Sequence, residues 1–201
     1  MKKLLLFSLL VAAFIVSAFK ISEDPLPLGA ALPKPDVKMK DISGQEVTLK
    51  GSMKENGLLV MFSCNTCPVV IRHQGRTNEI CQYALDKKVG VVLLNSNEGS
   101  RSDDDSYEAM KEYAKGQGYK WTYAVDKNNE LADAFGANRT PECFLFDKNG
   151  KLVYHGAIDD SPNNADKVSR KHLKEAIDEA VNGKDVSVKQ SKSVGCTIKR
   201  I

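Results

Sequence analysis

Two cysteines separated by two residues are the feature of this sequence that most directly suggests chemistry. Cys64 and Cys67 flank Asn65 and Thr66, and Pro68 follows directly. Two thiols at this spacing can close a small disulfide ring and reopen it, and so exchange a disulfide with another molecule. At the start of a helix the first thiol would face unpaired N–H groups, which lower its pKa. We therefore predict that Cys64 attacks a substrate disulfide and that Cys67 resolves the mixed disulfide.

The residues around this dithiol leave other uses of it open. Asn65 and Thr66 are expected to donate hydrogen bonds to the thiolate. A zinc site would need two more ligands, and the sequence has no second Cys-x-x-Cys and no His pair at metal-ligand spacing. Those ligands would have to come from scattered positions, namely Cys81, Cys143, Cys196 and His73. A purely structural disulfide between Cys64 and Cys67 is a further alternative.

The Thr140-Pro141 step is the second candidate element of the site. An X-Pro bond directly before a strand can be cis, although an ordinary trans turn is the alternative. A cis proline beside the dithiol would leave the backbone of Thr140 free to pair with an extended substrate. We predict that Cys81 and Cys143 are buried packing thiols, with a redox relay role as the alternative for Cys143. Cys196, near the end of the chain, is either a docked structural thiol or an accessory redox thiol.

The elements that must position these residues alternate between strands and helices. Continuous apolar runs at 57–62 and 89–94 are typical of strands buried on both faces. Hairpins are predicted at 37–49 and 142–155, and helices after Pro68, from about residue 105, around 131–135 and around 173–181. This order predicts an α/β fold with a central mixed sheet flanked by helices and an N-terminal β-hairpin.

Within these elements several side chains can be assigned to a face. Four residues of the helix after Pro68 recur at helical spacing and are predicted to face the core: Thr77, Ile80, Cys81 and Ala84. His73 is predicted to be a surface residue of that helix. Residues 103–105 indicate a solvated acidic turn in which Asp105 and Glu108 cap the next helix.

The first residues of the chain suggest export. Lys2 and Lys3 precede a mostly apolar segment at 4–19, with small residues at 16 and 18. We predict a signal peptide at 1–18, with an uncleaved membrane anchor as the alternative, a proline-rich linker at 19–35, and one domain at 36–201. An exported protein is periplasmic or otherwise extracytoplasmic, where disulfides persist. The net charge of +3, without a basic stripe, excludes nucleic acid as the expected partner.

Taken together, these residues resemble a known family. The Cys64 to Pro68 motif after a buried strand, the late Thr140-Pro141 before a strand, and the ending at 195–199 (Gly-Cys-x-Ile-Lys) are similar to the thioredoxin-fold redoxins. More narrowly, they resemble the peroxiredoxin-like proteins related to alkyl hydroperoxide reductase and thiol-specific antioxidant, over residues 35–201. The resemblance implies a thioredoxin-like fold, a cis Pro141, and Thr140 and Pro141 in the substrate groove.

The departures from the family patterns shape the functional prediction. The peroxiredoxin pattern Pro-x-x-x-Thr-x-x-Cys is absent in both frames, since Gly57 and Met61 precede Cys64 and Val60 precedes Cys67. We therefore predict an extracytoplasmic thiol–disulfide oxidoreductase whose partners are protein thiols or disulfides and a membrane redox protein. It is expected to need no cofactor and no metal. A thiol-dependent peroxidase and a non-enzymatic thioredoxin-fold module that binds a metal or a partner are the alternatives.

Overall fold

The computed structural model describes residues 24–201. The predicted signal peptide and the first residues of the predicted linker lie outside this range. Within the range, no helix is both long and apolar enough to cross a membrane.

A mixed β-sheet forms the centre of the domain. Among residues 24–201, seven strands make this sheet, in the spatial order β2 (Glu46–Val47), β1 (Met39–Asp41), β5 (Thr122–Val125), β4 (Gly90–Asn95), β3 (Leu58–Ser63), β7 (Glu142–Phe146) and β8 (Leu152–Gly156). The central strands β3, β4 and β5 are parallel to one another, and β1, β2, β7 and β8 pair antiparallel at the sides. Two short strands, β6 (Arg139–Thr140) and β9 (Cys196–Thr197), form a separate antiparallel pair.

Helices cover both faces of the sheet. They are α1 (Leu49–Ser52), α2 (Pro68–Asp86), α3 (Tyr107–Gln117), α4 (Glu130–Phe135) and α5 (His172–Val181). One hydrophobic core lies beneath α2, α3 and α5, and the other lies beneath α1 and α4. Strand β3 contributes side chains to both cores: Leu59 and Met61 lie in the first, and Val60 and Phe62 lie in the second. The apolar run is therefore buried on both sides, as its composition predicts.

The predicted α/β fold with a central mixed sheet and an N-terminal β-hairpin is confirmed, and the predicted elements follow in the predicted order. The short elements α1, β6 and β9 are additional. Most boundaries shift by one or two residues, and two differences have a clear local cause. Leu49 belongs to the short helix α1 rather than to a strand, because Thr48 caps that helix by accepting a hydrogen bond from the backbone N–H of Gly51. Helix α3 begins later than predicted, because Ser106 is its N-cap.

The described part of the predicted linker packs onto the domain. The backbone N–H of Leu26 donates to the carbonyl of Phe135 at 2.9 Å, and that of Leu32 to Gly150 at 2.9 Å. The side chain of Leu32 is buried in the second core. Four prolines and a lack of periodicity predict a linker, whereas backbone hydrogen bonds and the buried Leu32 attach this segment to the domain.

Phe144 offers a test of the second core. Its ring lies 5.7 Å from that of Phe62 and 5.1 Å from that of Phe135, and its side chain is fully buried. Phe144→Ala should lower the free energy of unfolding by about 3–5 kcal/mol in urea titrations, through lost burial and a cavity. The control Ile71→Ala removes a side chain that is 53% exposed and should change it by less than about 0.5 kcal/mol. Equal effects of the two substitutions would contradict the packing described here.

Candidate redox site

The Cys64 to Cys67 loop joins the carboxyl end of β3 to the N-terminus of α2. Strand β3 ends at Ser63, Cys67 is the N-cap of α2, and Pro68 occupies the first turn, where its missing N–H is tolerated. Both cysteines are buried, with 1% of Cys64 and 3% of Cys67 exposed. The position of the motif between a buried strand and a helix is as the sequence predicts.

The Thr140-Pro141 step lies against both cysteines. Its peptide bond is cis, which confirms the prediction. The Thr140 hydroxyl oxygen is 3.3 Å from Cys64 Sγ, and the Thr140 carbonyl oxygen is 3.3 Å from Cys67 Sγ. The fold therefore brings four predicted site residues together although 73 to 76 positions separate Thr140 from the cysteines.

The disulfide of the structure differs from the expected one. Cys67 is bonded to Cys196, whose Cα atom lies 5.9 Å from that of Cys67, and Cys64 is a free thiol. The physical reason is the pairing of β9 with β6, which sets Cys196 opposite Thr140. A redox-active disulfide between Cys64 and Cys67 stays a prediction for another state of the same site.

The chain around Cys196 also occupies the backbone of the expected substrate groove. Because Thr140 pairs with Cys196, the expectation of a free Thr140 backbone is wrong for this state. Gly195 permits the close approach, since a Cβ atom there would lie 2.0 Å from the carbonyl oxygen of Thr140. The C-terminal segment thus lies against the backbone of Thr140, at the position where a substrate is expected.

The Cys64 thiol does not have the low pKa expected from the sequence. Burial raises its pKa, and the charge of Asp105 acts in the same direction. The hydrogen bond with Thr140 and the backbone N–H groups of Thr66 and Cys67 oppose this rise without overcoming it. The expectation fails because Cys64 is 1% exposed, and burial outweighs the hydrogen bonds that favour its thiolate.

A buried carboxylate that the sequence analysis misplaced holds this loop. Asp105, expected in a solvated turn, is fully buried and accepts hydrogen bonds from the backbone N–H of Asn65 at 2.9 Å and from the side-chain amides of Asn95 and Asn97 at 2.8 Å each. The Asn65 side-chain amide does not donate to the Cys64 sulfur, contrary to the expectation. It accepts from the Tyr123 hydroxyl and donates to the backbone instead.

A second buried carboxylate positions the residues before the cis proline. Glu142 accepts hydrogen bonds from the backbone N–H groups of Asn138 at 2.9 Å and Arg139 at 3.1 Å, and its other oxygen lies 2.7 Å from His155 Nε2. Sequence reasoning missed this pair. The available signal was a lone Glu directly after Pro141 in an otherwise apolar strand.

The remaining candidate residues lie outside the sulfur cluster. Cys81 and Cys143 are fully buried in the first core, as predicted, and burial raises the pKa of both thiols. His73 is wrongly predicted as a surface residue, because it is 2% exposed and its Nε2 lies 2.8 Å from the carbonyl of Pro162. The loop after β8 covers this part of α2, and burial lowers the pKa of His73.

Comparisons with known proteins give a family match and several similar structures. The family model described as Redoxin matches residues 28–171. A thiol-disulfide oxidoreductase ResA from Bacillus thuringiensis is 25% identical over 150 residues, which is 75% of this chain and 81% of that protein.

Two solved structures are more similar. A hypothetical protein from Sinorhizobium meliloti 1021 has a TM-score of 0.81 at 32% identity, over 89% of this chain and 97% of that one. An uncharacterized conserved protein from Geobacillus kaustophilus has a TM-score of 0.80 at 35% identity, over 86% and 92%. More distant matches include thioredoxin-like structures, which share the fold alone.

The contact between Thr140 and Cys64 can be tested by titration. Thr140→Val keeps the side-chain shape but removes the hydroxyl, so the pKa of Cys64 should rise further. At a fixed pH below the pKa of Cys64, the fraction of Cys64 present as thiolate should fall about fivefold, because one such hydrogen bond contributes about 1 kcal/mol. Thiolate absorbance near 240 nm measures it, with Cys64→Ala as the blank. Thr140→Ser should restore the parent titration, and an unchanged Thr140→Val curve would refute the contact.

Proposed function

This chain belongs to the Redoxin family and is an oxidoreductase, and from that premise we propose that it is an extracytoplasmic thiol–disulfide oxidoreductase with Cys64 and Cys67 as its redox pair. The observation that carries the proposal is the contact of both sulfurs with one residue, Thr140, while one of them is already in a disulfide. A free thiol held beside a disulfide sulfur is the arrangement that thiol–disulfide exchange requires.

The exchange moves two electrons. In the reduced protein, one thiolate attacks a sulfur of the partner's disulfide and forms a mixed disulfide, while the partner's other sulfur leaves as a thiolate. The second thiolate of the protein then attacks the mixed disulfide, which closes the bond between Cys64 and Cys67 and releases the second partner thiol. Two protons accompany the electrons. The reverse sequence oxidises a partner dithiol.

The site contains groups that assist each half of this exchange. Backbone N–H groups of Thr66 and Cys67 and the Thr140 hydroxyl interact with Cys64 and favour its thiolate. The Thr140 carbonyl lies at Cys67 Sγ, where a reduced Cys67 thiol can donate a hydrogen bond. These contacts would hold either sulfur in place as it changes between thiol, thiolate and disulfide.

The cellular location and the partner class form the finer part of the proposal. The basic residues Lys2 and Lys3 before an apolar segment support export, and an oxidising compartment suits a protein that carries a disulfide. Relatives named thiol-disulfide oxidoreductase support protein thiols or disulfides as partners. A membrane redox protein would then supply or receive the electrons.

Export can be tested by the mass of the protein made in a bacterial host. Cleavage after Ala18 should give a mature chain that begins at Phe19, found in the extracytoplasmic fraction. Retention of residues 1–18 in the membrane fraction would support the anchor instead. Recovery of the full-length chain in the cytoplasm would contradict export.

Catalysis can be tested by the reduction of insulin disulfides with dithiothreitol as the electron donor. Cys67→Ala should lower the rate to that of dithiothreitol alone, because Cys67 belongs both to the proposed pair and to the Cys67–Cys196 bond. Cys64→Ala should lower the rate, because it removes one of the two sulfurs of the proposed pair. Cys81→Ala is the matched control and should keep the parent rate, since Cys81 lies in the first core.

A parent protein without activity in this assay would overturn the proposal. Multiple turnovers of hydrogen peroxide without insulin reduction would favour the thiol peroxidase. The expected result differs from both outcomes: the parent reduces insulin, and the rate of insulin reduction falls in the Cys64 and Cys67 variants but not in the control.

A further inference from the structure

We propose that Cys196 is a third redox-active cysteine, and that the buried Cys64 and Cys67 pair exchanges electrons with a disulfide-bearing partner through it. This inference rests on the proposed function. It names the residue that reacts with the partner and the order of disulfide exchanges by which the disulfide is passed to Cys64 and Cys67.

Exposure is the first argument. Cys64 is 1% exposed and Cys67 3% exposed, whereas Cys196 is partly exposed in the short strand β9. An attack on a disulfide, or by a thiolate, needs an open approach to the reacting sulfur. Of these three residues, Cys196 is the most exposed in this state.

The occupied groove is the second argument. Because Cys196 pairs with Thr140 and Gly195 packs on the Thr140 carbonyl, an extended partner cannot add to that backbone edge while the segment is in place. The same segment covers the two buried cysteines. It presents a cysteine where a partner chain would otherwise bring one.

The C-terminal segment is also held by contacts that do not involve its disulfide. Ile198 is buried in the second core, and its backbone N–H donates to the Asn138 carbonyl at 3.0 Å. The backbone N–H of Lys199 donates to the Asn97 side chain at 2.9 Å, and Arg200 lies 2.9 Å from Asp133. Reduction of the disulfide therefore leaves Cys196 beside Cys67, ready to react again.

The electron transfer balances in three steps. The Cys196 thiolate attacks the partner's disulfide, forming a mixed disulfide and releasing one partner thiolate. The Cys67 thiolate attacks Cys196 Sγ, which releases the second partner thiolate and forms the Cys67–Cys196 bond seen in the structure. The Cys64 thiolate then attacks Cys67 Sγ, forming the Cys64–Cys67 bond and freeing Cys196, which takes up the proton. Net, one dithiol is oxidised and one disulfide is reduced.

A trapping experiment tests which sulfur meets the partner. The Cys67→Ala variant cannot resolve a mixed disulfide, so an adduct should accumulate after reduction, removal of the reductant and addition of oxidised glutathione. Peptide mass mapping should find glutathione on Cys196 at least about tenfold faster than on Cys64. Equal or faster labelling of Cys64, or no adduct on Cys196, would overturn the proposal.

A kinetic experiment distinguishes a relay through Cys196 from a segment that only covers the site. With the reduced protein in a single turnover, Cys196→Ala should slow the formation of the Cys64–Cys67 bond by oxidised glutathione or insulin about tenfold or more. A segment that only covers the site would leave that rate unchanged or raise it in this variant. Cys81→Ala is again the matched control. Comparison of the rates with oxidised glutathione and with insulin shows whether the relay serves small disulfides, protein disulfides or both.

The two proposals fail in different ways. A parent protein that reduces insulin while Cys196→Ala keeps the parent single-turnover rate refutes the relay and leaves the proposed function intact. A parent protein that neither reduces insulin nor forms the Cys64–Cys67 bond refutes both. Circular dichroism of each variant verifies that a lost rate does not come from unfolding.

Discussion

The position of Thr140 is the constraint on which the sulfur chemistry depends. Its hydroxyl meets Cys64, its carbonyl meets Cys67, and its backbone pairs with Cys196. The backbone N–H groups of Asn138 and Arg139 donate hydrogen bonds to Glu142 and hold the chain before Pro141. One residue thus contacts two neighbouring cysteines and a third that lies 129 positions after Cys67.

Local patterns explain why much of the fold and part of the site could be predicted. Some structures are determined by patterns only a few residues long. They include strand β3, the Cys-x-x-Cys-Pro turn and the buried face of α2 with Ile80 and Cys81. The family resemblance added the cis Pro141, which composition alone leaves undecided. Cys64, Cys67 and Thr140 could therefore be named as one site before their distances were known.

The features that escaped prediction depend on contacts distant in sequence. Asp105 is typical of a solvated turn until the amides of Asn95 and Asn97 and the backbone of Asn65 surround it. His73 is buried by a loop almost 90 residues later, at Pro162. Sequence patterns reflect neighbours within a few residues, so neither the burial of Asp105 and His73 nor the lowered pKa of His73 could be predicted from the sequence.

The Cys67–Cys196 bond has a consequence for the stability of the whole domain. It joins residues 129 positions apart, so it restricts the unfolded chain far more than a bond within the Cys64 to Cys67 loop would. In the loop-closure model, a ring of this length stabilises the folded state by about 5 kcal/mol relative to the open chain, against about 2 kcal/mol for the small ring. Moving a single bond between neighbouring sulfurs therefore changes resistance to unfolding, and the melting temperature reports which of the two bonds is present.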